Sequence, residues 1–188
     1  MQADESPVWT RAQRRLHWWT AGLVLAAFPV GWQMVSVPLS QLLEKFLLYQ
    51  LHKTIGITVL VLAVARLLIR MRRGRPSWDT DLPLWQRQAA AVMHLVLYAL
   101  LVGTPALGYL TAATAPARVP TLFLGIIPVP HLVSPSEFWF AILRQAHWWM
   151  AASLMLLAAG HAAAAIHNHR HGRATLVRMW RGHSCERP

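Results

Sequence analysis

The sequence predicts an all-α membrane protein, a four-transmembrane-helix bundle forming one domain over residues 1–188. Three observations carry that prediction. Of the 188 residues 55% are hydrophobic and only 13% are charged, against about 25% charged in a soluble domain. The apolar residues gather into four runs, each near the roughly 20 helical residues that cross a hydrocarbon core. The basic residues stand beside the ends of those runs, mostly in alternate segments. With 18 Lys and Arg against 7 Asp and Glu, the formal net charge is +11. That balance would suit a nucleic-acid binder, but membrane topology explains the positions of the cations, so nucleic acid is set aside. The ten tryptophans fit interfacial belts, with some left for packing inside the bundle. The single cysteine, Cys185, allows no internal disulfide and no CxxCH motif, and reads as a tail thiol.

In order along the chain, residues 1–10 are polar, and Arg11, Arg14 and Arg15 precede span 1, expected over about 16–37. No small-x-small cleavage site follows, so this run reads as a retained span. His17 stands at its entrance beside Trp18 and Trp19. After the short loop Pro38–Lys45, span 2 is expected over about 46–70, with His52 in its second turn. Gly56 lies one turn further on the same face, where a flat ring can approach the backbone. The span ends in Arg66, Arg70, Arg72, Arg73 and Arg75, and RGRPSWDTDLP is a turn-rich connector. Span 3 is expected over about 87–112, with His94 in its second turn and Pro105 as a kink. A proline-rich loop, Ala113 to Leu143, carries the patch LFLGII, suited to the membrane surface. Span 4 is expected over about 142–166 and is followed by a basic, solvated tail, in which His167, His169 and His171 would bind metal only adventitiously. Arginine is concentrated at the N-terminus, in the span 2–3 connector and in the tail. Both termini of this multi-pass protein are therefore expected in the cytoplasm.

Span 4 reads HWWMAASLMLLAAGH from His147 to His161, two histidines fourteen residues apart. At 3.6 residues per turn they share one stripe, roughly 20 Å apart along the axis. An unpaired polar group in hydrocarbon costs several kcal/mol, so several intramembrane histidines need a shared reason. A lone interfacial histidine beside tryptophans is ordinarily a belt residue, but these have partners at matching depth on other spans. Zinc would want its ligands at one level with thiolate or carboxylate help. Haem suits the pattern better, since two imidazoles from facing helices can fill both axial positions of its iron. His52 matches His147 in depth. At the cytoplasmic level His17 and His94 both compete for His161, and spacing does not choose between them.

The chain resembles the bacterial cytochrome b561 family over nearly its whole length. The resemblance rests on RLHWW opening span 1, LHKTIGITVLVLAVARLLIR in span 2, HLVLYALL in span 3, and two histidines separated by thirteen residues in span 4, followed by AAAA. It implies a bacterial inner-membrane protein with two b-type haems per chain, held by His17 with His161 and by His52 with His147, with His94 left beside a ligand or in a pocket. It extends to superoxide oxidase-like members, which implies electron transfer from periplasmic superoxide to ubiquinone. Other family members serve as relay subunits that link a dehydrogenase or hydrogenase partner to the quinone pool. One departure is His167-Asn168-His169, where the family pattern has two adjacent histidines and a contact with quinone.

With both axial positions filled, the chemistry is outer-sphere electron transfer. Superoxide is a small anion and calls for a cationic approach. Arg144, one turn before His147, and Lys53, beside His52, are the expected catalytic cations. Lys45, Arg118 and His131 would widen the funnel, and lipid-headgroup snorkelling or loop solvation is the plainer reading of each of these five residues. Tyr98, one turn after His94 on the same face, is placed to share a hydrogen bond with a haem propionate or a quinone, and ordinary helix packing explains it at least as well. Arg14, Arg15 and Arg70 are placed to pair with propionates, and positive-inside topology explains them without any haem.

Overall fold

A computed structural model describes residues 9–74, 82–173 and 175–181. The tail thiol Cys185, Arg75 and most of the span 2–3 connector lie outside the described residues. Four long helices account for most of the rest: α1 Arg11–Ser36, α2 Leu42–Arg73, α3 Leu84–Thr114 and α4 Glu137–Arg170. A short helix, α5 Thr175–Trp180, follows. Each expected apolar run falls on one long helix, and the helices extend beyond the runs.

The helix ends have local causes. Thr10 and Gln13 form a capping box that starts α1, and Pro38 follows its last turn. Lys45 Nζ donates to the carbonyls of Met34 and Val37, at 3.1 and 2.6 Å, which puts a cation on the negative end of α1. Gly74, at φ 69°, caps α2. Ser136 accepts from the Trp139 amide at the start of α4. Pro29 lies inside α1 and Pro105 inside α3, and each removes one helical hydrogen bond.

Among the described residues, α2, α3 and α4 are long and apolar enough to cross a membrane. α1 is long enough at 26 residues, but its polar and tryptophan content leaves it less apolar than the others. Only 17%, 11% and 6% of the most apolar windows of α2, α3 and α4 is buried inside the protein. Their leucines, valines and tryptophans therefore face outward, as a lipid solvent requires. The small core is formed by Ile55, Val59 and Ala63 of α2 with Leu101 of α3 and Leu154 of α4.

Neighbouring helices run antiparallel, as cross-helix contacts show. Late α2 meets early α1 through Arg66 and His17, late α4 meets early α3 through His161 and His94, and early α2 meets early α4 through His52 and His147. α2 and α4 therefore run parallel.

The long loop departs from an all-helical expectation. LFLGII forms an antiparallel hairpin, β1 Thr121–Phe123 with β2 Ile127–Val129. Leu124 and Gly125 take positive φ in its turn. Polar side chains of α2 fasten it down. Gln50 donates to the Pro120 carbonyl and accepts from the Leu122 amide, both at 2.9 Å, and Thr54 accepts from Leu124 at 3.1 Å. These long-range bonds leave no mark in local sequence periodicity. The tail also departs from a wholly solvated segment. α5 folds back on α1, with Arg14 donating to the Trp180 carbonyl at 2.6 Å and Trp18 to that of Met179 at 3.3 Å.

Candidate functional site

Two levels of histidine line the bundle interior, about 21 Å apart along α4. At one level His52 of α2 faces His147 of α4, with ring centres 6.1 Å apart. Nδ1 of His52 donates to the Ala27 carbonyl of α1 at 3.1 Å. Nδ1 of His147 donates to the Thr104 carbonyl of α3 at 2.9 Å. A neutral imidazole has one N–H, so each leaves Nε2 as a free lone pair. Each ring also rests on a glycine one turn beyond its carbonyl. A Cβ at Gly31 would stand 2.8 Å from His52, and one at Gly108 would stand 3.0 Å from His147. Only glycine admits the rings this closely.

At the other level His17 of α1 faces His161 of α4, with ring centres 6.3 Å apart. His94 of α3 is closer to His161, at 5.1 Å, and its Nδ1 bonds the Ala90 carbonyl of its own helix. Nδ1 of His17 accepts from Arg66 Nη2 at 3.1 Å. An arginine in a span costs up to about 3 kcal/mol on insertion scales. This one turns inward and stacks on Tyr98, its guanidinium carbon 5.3 Å from the ring centre. Arg70 stacks on the same ring, also at 5.3 Å. The ring of Tyr98 is thus flanked by cations.

The expected cations each have local partners. Lys45 is taken up by the end of α1. Lys53 Nζ donates to the carbonyls of Val119 and Pro120, at 3.3 and 3.2 Å, beneath the hairpin. Arg118 lies exposed in a turn at φ 47°. Arg144 is exposed and stacks on Phe140 at 5.6 Å. His131 pairs with the Thr121 hydroxyl at 2.9 Å. Its pKa is held below the usual imidazole value by partial burial and by the nearby Lys53 ammonium. Arg14 serves the α5 contact, and Arg15 is exposed. His167 and His171 stack on each other at 4.1 Å, at the end of α4.

Sequence reasoning missed Gly31, Gly108, Gln50, Thr54 and Arg66 as site residues. A weak signal existed for the two glycines, since each follows a helix-internal proline by two or three residues. Arg66 had a clearer one. It lies fourteen residues after His52, the spacing that singles out His161 from His147.

The fold and these interior imidazoles define a class, the multi-pass membrane cytochromes of b type. More particularly, the chain belongs to the prokaryotic cytochrome b561 family, whose profile matches residues 8–182. It is 34% identical over 134 residues to cytochrome b561 homolog 1 of Escherichia coli (strain K12), covering 71% of this chain and 74% of that protein. It is 30% identical over 154 residues to cytochrome b561 homolog 2 of the same organism, covering 81% and 80%. Membership makes it a b-type haem protein of membrane electron transfer.

The residues fit that cofactor. A metal–imidazole bond is about 2 Å long, so two imidazoles on opposite faces of one haem iron have ring centres about 6 Å apart. The separations of 6.1 and 6.3 Å match. Nothing stands within 4 Å of where a Cβ on Gly56 would point, one turn beyond His52, which leaves room beside the backbone for a flat ring. Among the described residues no three His, Cys, Asp or Glu side chains converge on one bare ion. Opposed pairs suit a metal that brings its own equatorial ligands.

Proposed function

We propose that the whole chain is a single transmembrane unit holding two b haems. The axial pairs are His52 with His147 and His17 with His161, and the protein carries electrons from periplasmic superoxide to ubiquinone. The observation that carries this reading is the two pairs of opposed imidazoles, at 6.1 and 6.3 Å, on two levels of one helix. α1 is the fourth span in this reading, because it supplies His17 and the seat of His52. The positive-inside distribution puts both termini in the cytoplasm and the His52/His147 level on the periplasmic side of the inner membrane. His94 is a pocket residue, since its ring stands closer to His161 than two ligands of one iron would.

Held by these four histidines, haem would supply one-electron transfer. The chain's own residues hold the imidazoles in line, exclude water from the bundle and guide the substrates. Superoxide gives up one electron and leaves as oxygen, so two superoxides and two protons reduce one quinone to quinol. Exposed Arg144, with Lys53 beneath the hairpin, attracts the anion to the periplasmic end.

The test is the absorption spectrum of the detergent-purified oxidised protein during enzymatic generation of superoxide. Prompt growth of a b-type α-band, suppressed by superoxide dismutase and discharged by added ubiquinone, is the expected result. A Soret band that superoxide leaves oxidised would replace this donor with a protein partner, and the protein would then be a relay subunit.

A further inference from the structure

The two-haem reading leaves open which way an electron runs between the levels, and the inference here rests on that reading. α2 and α4 run parallel, and each carries two polar residues fourteen apart on one stripe, His147 and His161 on α4, His52 and Arg66 on α2. The α2 stripe is continuous, since buried Ile55, Val59 and Ala63 lie between its ends. Arg66 therefore occupies the corner of the bundle where symmetry would put a fourth imidazole. It touches His17 at 3.1 Å and Tyr98 at 5.3 Å. The described acidic side chains, Glu44 and Glu137, open α2 and α4 at the opposite end, so none of them offsets this charge. The His52/His147 level differs, since both imidazoles there donate to backbone carbonyls.

We propose that Arg66 makes the His17/His161 level the electron sink, by raising its reduction potential above that of the His52/His147 level. Ferric iron carries one more positive charge than ferrous iron. A cation beside it in a low dielectric disfavours the oxidised form. At the other level, N–H donation to a carbonyl makes the imidazoles more basic ligands, which favours the oxidised form. The two effects separate the potentials in the same sense. Electrons that enter at His52/His147 then run downhill to His17/His161.

One local rearrangement is required. While Arg66 donates to Nδ1 of His17, the ring's single hydrogen sits on Nε2, and that atom cannot bind a metal. Ligation by His17 Nε2 moves the hydrogen to Nδ1 and turns Arg66 away from it. The stack on Tyr98 keeps the cation at the same level. Were Arg66 to pair with a haem carboxylate, it would cancel a negative charge near the iron, and the sign of the effect would be the same.

The experiment is a redox titration of the full-length, haem-loaded protein, followed at the α-band, for wild type, Arg66→Gln and Arg66→Lys. The wild type should resolve two b components. Arg66→Gln should lower one of them so that the equilibrium constant for electron exchange between the haems falls at least tenfold, which is 59 mV for a one-electron couple. The other component should stay in place, and Arg66→Lys should recover most of the shift. In a His52→Ala background, which keeps only the His17/His161 haem, the same shift should appear on the single component. Equal shifts of both components, no shift, or a lysine variant that behaves like glutamine overturns the proposal. Should Arg66→Gln take up only one haem, the single-haem variants decide. The haem left in His52→Ala must titrate above the one left in His17→Ala, and the reverse order overturns the proposal. Two bound haems that titrate as a single component also overturn the proposal, whereas a wild type that binds one haem per chain by haem quantitation fails differently, because it removes the two-haem reading underneath.

Discussion

At the His147 level each imidazole is held by the backbone of a neighbouring helix, whereas at the His161 level side chains do the holding. Ala27 and Thr104 offer carbonyls, and Gly31 and Gly108 offer flat seats. Backbone in a packed helix moves little, so this level presents its Nε2 lone pairs before any metal arrives. At the other level Arg66 occupies His17 Nδ1, and His94 crowds His161. In the proposed two-haem reading that level must rearrange on loading. One helix, α4, thus joins a preorganised site to an adaptable one, and the difference lies in the partners rather than in the histidines.

The comparison is most sharply broken by removing a ligand. His147→Ala or His52→Ala should leave one haem per chain by haem quantitation, with the His17/His161 haem intact. Two haems retained in either variant would end the proposed pairing. Next in size are the glycine seats. Gly31→Ala forces a Cβ to 2.8 Å from His52, an overpacking that costs about 1–3 kcal/mol. It should reduce occupancy at that level severalfold and lower the melting temperature. Gly108→Ala, with slightly more room at 3.0 Å, should do less. If both variants load normally, the seats do not matter.

A smaller effect tests the approach of the donor. Arg144→Gln should slow reduction by superoxide about two- to tenfold and flatten its dependence on ionic strength. An unchanged rate removes Arg144 from the path. The smallest effect concerns His131, beside the hairpin that roofs the preorganised level. Its folded pKa lies below the ordinary imidazole value, because of partial burial and Lys53. The unfolded chain therefore takes up the proton more readily, and stability should fall as pH drops through about 6.5. The melting temperature should fall by no more than about 2 °C for this group, and His131→Ala should remove the dependence. A rise in stability on acidification would contradict the sign.

Much of this architecture was legible along the chain. Apolar length announced the helices, and fourteen-residue spacing announced a shared stripe on α4, since both depend only on helical repeat and rise. The family motifs added the expected cofactor and its ligands. The same spacing from His52 to Arg66 was equally present, but an arginine near the end of a span is ordinarily explained by topology, so its inward turn was hidden. Lys45 and Lys53 looked like free cations because sequence does not reveal which carbonyls will be near. The hairpin escaped notice because Gln50, Lys53 and Thr54, seventy residues away or nearly so, hold it down.

By itself, then, the sequence determined the membrane-helical character, the helix extents to within a few residues, and the shared stripe of His147 and His161. These follow from hydrophobic length and from periodicity within one element. Tertiary structure decided how close His17 and His94 each come to His161, which glycines seat the rings, and that a guanidinium completes the second level. Those contacts run between helices, where register and rotation are set by packing, and local spacing along one chain carries no record of them.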